Sequence, residues 1–248
     1  DIYTKKFESG ALPIIAIPTT AGTGSEVTPY SILTYHKIQN KKSFSSPLVY
    51  PKYAFLEPRY IKSLPKQVLI DTVVDAFSHS LEGYLSNKAT PVTDALAEEA
   101  FRIYSQELKS IAFDDCFDYE KLLYASLLGG MVIAQTGTMI VHSIGYGLTY
   151  FKDAPHGRAN GILIPEFLRF LSRKNVSKVS DVLRLLEVKE IDELKKILKI
   201  LCPVEFRMSD QEIIKSAEIS IQAANIAFMP VGVSLDDEIH ILKKSVCE

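Results

Sequence analysis

Cysteine is scarce in this sequence: Cys116, Cys202 and Cys247 are the only three in 248 residues, and no Cys-x-x-Cys pair occurs. Such spacing excludes a disulfide-stapled scaffold and a thiolate zinc site, and fits reduced thiols in a cytoplasmic protein. No apolar run approaches the roughly 18 residues that a membrane-spanning helix needs. The first ten residues lack the apolar stretch of a signal peptide and do not begin with Met. An excess of one charge is also missing, since 28 basic residues face 30 acidic ones. That balance argues against nucleic acid or an anionic membrane surface as a partner. What remains is a globular mixture, 47% hydrophobic and 23% charged, long enough to bury a real core.

Two kinds of periodicity divide the chain. Residues 12–18 form a short apolar run closed by Pro18, the pattern of a buried strand. Residues 30–34 and 53–56 read as two more strands, separated by the polar stretch 35–46. From about Lys62 the spacing becomes helical. Leu69, Val73, Ala76, Phe77 and Leu81 recur at threes and fours, with Pro65 placed to open the helix. Further helices are expected over 93–111, 119–133, 138–149, 162–171, 177–186, 191–201, 211–224 and 235–246. The expected architecture is an α/β remnant over residues 1–62 followed by an all-helical domain over 63–248.

Histidine is nearly as rare as cysteine, with five: His36, His79, His142, His156 and His240. Asp75 and His79 stand four positions apart in a helical segment, so their side chains leave one face a turn apart. They could share a cation, although a plain helix ion pair has the same spacing. His142 lies in an apolar helical setting, where a hydrogen-bonded core histidine is the commoner outcome. His156 sits between Pro155 and Gly157, which reads as a turn. Together one carboxylate and three imidazoles suit a borderline metal such as iron(II) or zinc better than calcium or magnesium.

A second feature follows the first strand. Pro18-Thr19-Thr20-Ala21-Gly22-Thr23-Gly24-Ser25-Glu26 is small and hydroxyl-rich, and its backbone N–H groups could approach a phosphate. It has neither the third glycine of G-x-G-x-x-G nor the lysine of a P-loop, so taken alone a simple turn is the commoner reading.

These motifs in this order resemble the iron-containing (group III) alcohol dehydrogenase family. The resemblance rests on the hydroxyl-glycine stretch, on Ala54-Phe55-Leu56-Glu57 with the run from Asp71 to Glu82, and on Val141-His142 with Ala154-Pro155-His156-Gly157-Arg158-Ala159-Asn160. It covers nearly the whole chain from Leu12. It implies a dinucleotide-binding α/β domain joined to a helical metal-binding catalytic domain, with the active site in the cleft between them. The implied ligands of iron(II), or alternatively zinc, are Asp75, His79, His142 and His156. The implied NAD or NADP contacts are Thr19, Thr20, Gly22, Thr23, Thr28, Tyr30, Thr34 and Lys41.

Tyr146 stands where the family usually has another cleft histidine, and is expected to touch substrate. The family's glycine-rich pyrophosphate turn has no counterpart before Leu12, which suggests part of a longer enzyme. The expected reaction is hydride transfer between a small alcohol or aldehyde and nicotinamide, in a cytoplasmic protein compatible with a homodimer. A non-catalytic metal-binding domain stays open, as does a related zinc glycerol dehydrogenase or dehydroquinate synthase-like enzyme.

Overall fold

The computed structural model describes residues 11–247. Its N-terminal portion holds two separate two-stranded sheets. Strand β1 (Ile15–Ala16) pairs in parallel with β4 (Tyr53–Ala54). Between them, β2 (Tyr30–Tyr35) and β3 (Asn40–Ser45) form an antiparallel hairpin. Two expectations change here. The polar stretch 35–46 is not merely a separator, because half of it is β3. The apolar run 12–18 is not buried: Leu12 is 88% and Ile15 61% exposed. A lone parallel pair has no second layer among the described residues to cover its side chains, as parallel sheets ordinarily require.

Helices account for the rest: α1 (Lys66–Leu85), α2 (Pro91–Lys109), α3 (Tyr119–Thr136), α4 (Ile140–Lys152) and α5 (His156–Arg173), then α6 (Lys178–Leu185), α7 (Ile191–Leu201), α8 (Asp210–Ser220) and α9 (Leu235–Cys247). None is by itself long and apolar enough to cross a membrane. Local chemistry sets their ends. Thr90 and Thr93 close a reciprocal cap at the start of α2, and Ser209 with Glu212 does the same for α8. Asp153 takes a left-handed conformation at the end of α4, and Pro155 caps α5. His156 is therefore the first residue of a helix rather than part of a loop.

Helix α1 is the axis of the molecule, packed against α2, α3 and α5. Every residue from Leu69 to Leu85 except Thr72 is buried. Its apolar faces supply Phe77, which meets Phe101 and Tyr104 edge-on from α2. Truncating such a ring to alanine costs about 3–5 kcal/mol. Its polar residues Asp71, Asp75, His79 and Glu82 fall at spacings of four, four and three, and so form one stripe. α4 and α5 pack against each other, and both carry residues that meet this stripe.

Among the buried acids apart from that stripe, one is fully enclosed. Glu238 on α9 is wholly buried, its carboxyl facing the Ser220 hydroxyl of α8. Burial pushes it up to about 7. A carboxyl raised in the folded state stabilises fully only below its unfolded value, and this contribution is lost as pH rises through about 7. Glu238→Gln should therefore leave the melting temperature near pH 4 unchanged and raise it at pH 8. The gain is on the order of 3 kcal/mol at most. Thermal melts of the two proteins across that range check it, and equal curves at pH 8 would show that the carboxyl is not desolvated.

Candidate metal centre and cleft

The polar stripe of α1 meets the first turns of α4 and α5 at one point. Oδ1 of Asp75 lies 3.9 Å from Nε2 of His79, and 3.7 Å from Nε2 of both His142 and His156. The donor atoms of Asp75, His142 and His156 all fall within 4.8 Å of one another. His79 stands just outside that tighter triad but approaches the same oxygen. Two ligands each about 2.0–2.2 Å from a shared cation are at most about 4.4 Å apart, so the approach of all three imidazoles to Asp75 Oδ1 fits a common ion.

The protonation states suit ligation. Burial outweighs the Asp75 charge at His79 and His156, bringing them down to about 4 and about 3. Both imidazoles thus stay neutral and able to bind metal well below their ordinary range. The Asp75 carboxyl is also buried, yet the surrounding imidazoles and the Asn160 amide hold it below its usual value. His142 behaves differently. Burial alone would lower it, but the Glu82 carboxylate beside it reverses the sign and raises it.

Glu82 is completely buried, and its two oxygens have separate tasks. Oε1 accepts the Val141 backbone N–H at 2.8 Å, one of the unpaired donors in the first turn of α4. Oε2 accepts the Nδ1 proton of His142 in a short hydrogen bond. With that proton held, Nε2 keeps its lone pair toward Asp75.

Asp71 performs a similar service one turn before Asp75. It accepts Nε and Nη2 of Arg158 at 3.1 and 3.3 Å, while Arg158 Nη1 reaches Glu205 at 2.6 Å. The clamp ties α5 to α1 beside His156. Sequence reasoning gave no role to Asp71, Glu82, Arg158 or Asn160. The available signal was polar spacing of four, four and three on an otherwise apolar helix.

The four donors open onto a cleft of about 1670 Å³. Of the residues implied as cofactor contacts, Thr23, Thr28, Tyr30 and Lys41 line it. Thr19, Thr20, Gly22 and Thr34 are not among its lining residues. Thr19 and Thr34 are exposed, whereas Gly22 packs on α1, where an added Cβ would stand 2.6 Å from Thr72 Cβ. The Tyr30 hydroxyl crosses to donate to the Ile133 carbonyl at 3.0 Å.

Tyr146 lines the same cleft, stacked on His156 with ring centroids 5.0 Å apart. Burial, and after it the charges of Asp75 and Glu82, push its phenol upward, so it remains a hydrogen-bond donor at neutral pH. Lys41 Nζ lies 6.0 Å from the Tyr146 ring centroid, and burial lowers its amine. His36 pairs with Tyr150 at 3.3 Å. Neither His36 nor His240 lines the cleft.

The Glu82–His142 pair yields a test. Glu82→Gln keeps the shape but removes the charge, and should weaken zinc binding by about 10–100-fold. Because Glu82 raises His142, proton competition at His142 should also move to lower pH in the variant. Zinc affinity measured against pH checks both effects, and an unaltered profile would deny Glu82 this role.

Comparison with known proteins agrees with these motifs. Residues 69–246 match the model described as "Fe-containing alcohol dehydrogenase family, C-terminal", and residues 2–58 match "Iron-containing alcohol dehydrogenase". The chain is similar to 1-propanol dehydrogenase PduQ of Citrobacter freundii, at 36% identity over 69% of this chain and 47% of that protein. It is also similar to lactaldehyde reductase of Escherichia coli strain K12, at 34% identity over 64% of this chain and 42% of that one. The matched part thus spans less than half the length of these curated relatives.

Among solved structures, an iron-containing alcohol dehydrogenase from Thermotoga maritima superposes with a TM-score of 0.89 at 38% identity. That match covers 100% of this chain and 67% of the other. Sulfoacetaldehyde reductase from Bifidobacterium kashiwanohense, solved with NAD+, gives 0.81 at 27% identity, covering 95% of this chain and 65% of that one. With a family match over most of its length and the family's helical domain in its fold, this chain belongs to the iron-containing alcohol dehydrogenases.

Proposed function

We propose that this chain is the metal-binding and substrate-facing part of an NAD(P)-linked oxidoreductase that interconverts a small alcohol and its aldehyde or ketone. The observation that carries the reading is the approach of three imidazole Nε2 atoms to a single carboxylate oxygen inside an open cleft. Asp75, His79, His142 and His156 would hold iron(II), with zinc as the alternative. Three imidazole nitrogens and one carboxylate oxygen suit either ion. Such a cation supplies Lewis acidity to a substrate oxygen, and the nicotinamide supplies the hydride chemistry.

The chain's own residues orient the reactants. Tyr146, protonated and stacked on His156, offers a hydrogen bond to a substrate oxygen beside the ligand set. Thr23, Thr28 and Lys41 lie along the cleft, where hydroxyls and an amine suit the polar parts of a dinucleotide. Tyr30 is fixed by its bond to Ile133 and supplies a wall rather than a free hydroxyl. Phe228 adds an apolar surface to the same cleft, packed where a Cβ on Gly137 would stand 2.6 Å from its ring. The named activities of the relatives, on propanol and lactaldehyde, support a short-chain substrate.

Metal content and melting temperature, measured with and without chelator, test the reading. Wild type should take up one divalent ion after reconstitution with iron(II) or zinc, and a chelator should lower its melting temperature. His156→Ala should lose both properties, whereas Tyr146→Phe should keep the metal and lose turnover. If wild type binds no metal, the dehydrogenase assignment fails for this chain. Metal uptake without reduction of NAD+ or NADP+ by any short alcohol would favour a non-catalytic metal-binding domain.

The cleft lining also separates two threonines of the hydroxyl loop. Thr23→Val should weaken NAD(P)+ binding about 3–10-fold, the effect of losing one hydrogen bond. Thr20→Val should change it little. Calorimetric titration of the metal-loaded protein distinguishes the two, and the reverse order would place the loop differently against the cofactor.

A further inference from the structure

Asn160 lies one helical turn after His156 on α5 and is completely buried. Its amide nitrogen is 3.0 Å from Asp75 Oδ1, 3.3 Å from His142 Nε2 and 3.4 Å from His156 Nε2. It also donates to the Ser78 hydroxyl at 3.3 Å. One side chain therefore touches three of the four donor atoms at once. Those atoms carry lone pairs that face one another, and acceptors crowded without donors repel. An amide N–H group directed among them relieves that repulsion. The orientation of the amide follows from the same chemistry, because its oxygen would be a further acceptor in the cluster.

The opposite side of the amide is closely packed. Asn160 Oδ1 is buried without a hydrogen-bond partner. It rests against Gly145 of α4, where an added Cβ would stand only 2.2 Å away. Gly145 is three residues after His142, so the helix that supplies one imidazole also leaves space for the group that aligns it. Such a fit is specific to an amide at this position and to the missing side chain opposite.

We propose that Asn160 is a positioning residue that sets the donor atoms of Asp75, His142 and His156 around one point before a cation arrives. This rests on the metal-binding reading above. Asn160 is not itself a ligand: its nitrogen has no lone pair to give. Its effect is on the cost of assembling the site: donors already in register lose less freedom when the ion binds, and the amide N–H yields to the ion the lone pairs it had aligned. Gly145 belongs to the same device, since any side chain there would displace the amide.

Cobalt(II) titration of the purified chain, followed by its visible absorption, tests the idea without relying on turnover. Wild-type uptake is the control for the metal-binding reading, and its absence would overturn that reading and this one together. With wild-type uptake established, Asn160→Ala and Asn160→Leu should each bind cobalt about 10–100-fold more weakly. Their spectra at saturation should match the wild type, because the ligands are unchanged. Asn160→Leu keeps the branched shape with added bulk and loses the N–H donors. Wild-type affinity in that variant would show that the amide only fills space. A changed spectrum at saturation would make Asn160 a ligand and also overturn the proposal.

Gly145→Ala should reproduce the affinity loss with Asn160 intact, and wild-type affinity there would remove Gly145 from the device. Should the Asn160 variants fail to fold, nitrogen-15 spectra of the wild type decide the matter. The Asn160 side-chain amide should exchange slowly with water and shift when zinc is added. Rapid exchange, or no shift on zinc binding, would overturn the assignment.

Discussion

The close approach of α5 to α1 is the constraint on which the site depends. At Gly157 the two backbones touch: an added Cβ would lie 1.7 Å from the Asp71 carbonyl oxygen and 3.0 Å from Asp75 Cβ. Only glycine permits that separation, and the next residue, Arg158, fastens it through Asp71. His156 precedes the contact and Asn160 follows it, so both arrive at Asp75 from the same turn of helix. Widening the crossing by one methyl group would separate donors that now lie 3.7 Å apart. A surface ion pair contributes little to stability, but the partly desolvated Arg158–Asp71 pair also specifies how two helices meet.

Burying so many polar groups in the middle of a helical core is costly, and the structure offsets that cost group by group. An isolated charge in such surroundings would be neutralised or expelled. His79 and His156 stay neutral, so they bring no charge to bury. Burial disfavours the Asp75 charge, and the Asn160 amide that donates to it favours the charged form. Glu82 is balanced by a backbone N–H and by the His142 ring. What is left is a concentration of lone pairs with a negative centre, which favours a cation. The electrostatics that burden the fold are the electrostatics that select the ligand.

Legibility in the sequence followed the range of the interaction. Asp75 and His79 could be placed together because a helix repeats every 3.6 residues and their spacing is local. Their meeting with His142 and His156 depends on helix crossings dozens of residues apart, which periodicity does not encode; the family resemblance supplied it. Helix α7 lies over residues 191–201, as its strong amphipathic spacing predicts. Strand β3 was hidden because Asn40, Lys41, Lys42 and Ser43 look like a loop, and their pairing comes from β2 rather than from their own preference. The run 12–18 misled in the opposite sense. Apolar composition marks a strand that seeks cover, but cannot say whether the neighbouring layer lies within the same stretch of chain.

The hydroxyl-glycine loop shows how one composition can serve two physical ends. Small residues there suggest a backbone free to approach phosphate, yet both glycines are used in packing. Gly22 lies against Thr72 of α1, while Gly24, with φ of 59°, lies against Gly130 of α3. A side chain at either place would lift the loop from the helices. With its glycines pressed into the helical domain, the intervening Thr23 is turned outward to the cleft, braced by a 2.8 Å hydrogen bond from Ser25. The placement of this loop therefore begins with the helices. Helix α1, which carries Asp75 and His79, also forms part of the seat on which Thr23 rests, so the cleft-facing hydroxyl and the candidate metal ligands share one rigid frame. That shared support is how a fold can hold two reactants in a fixed relation before either is bound.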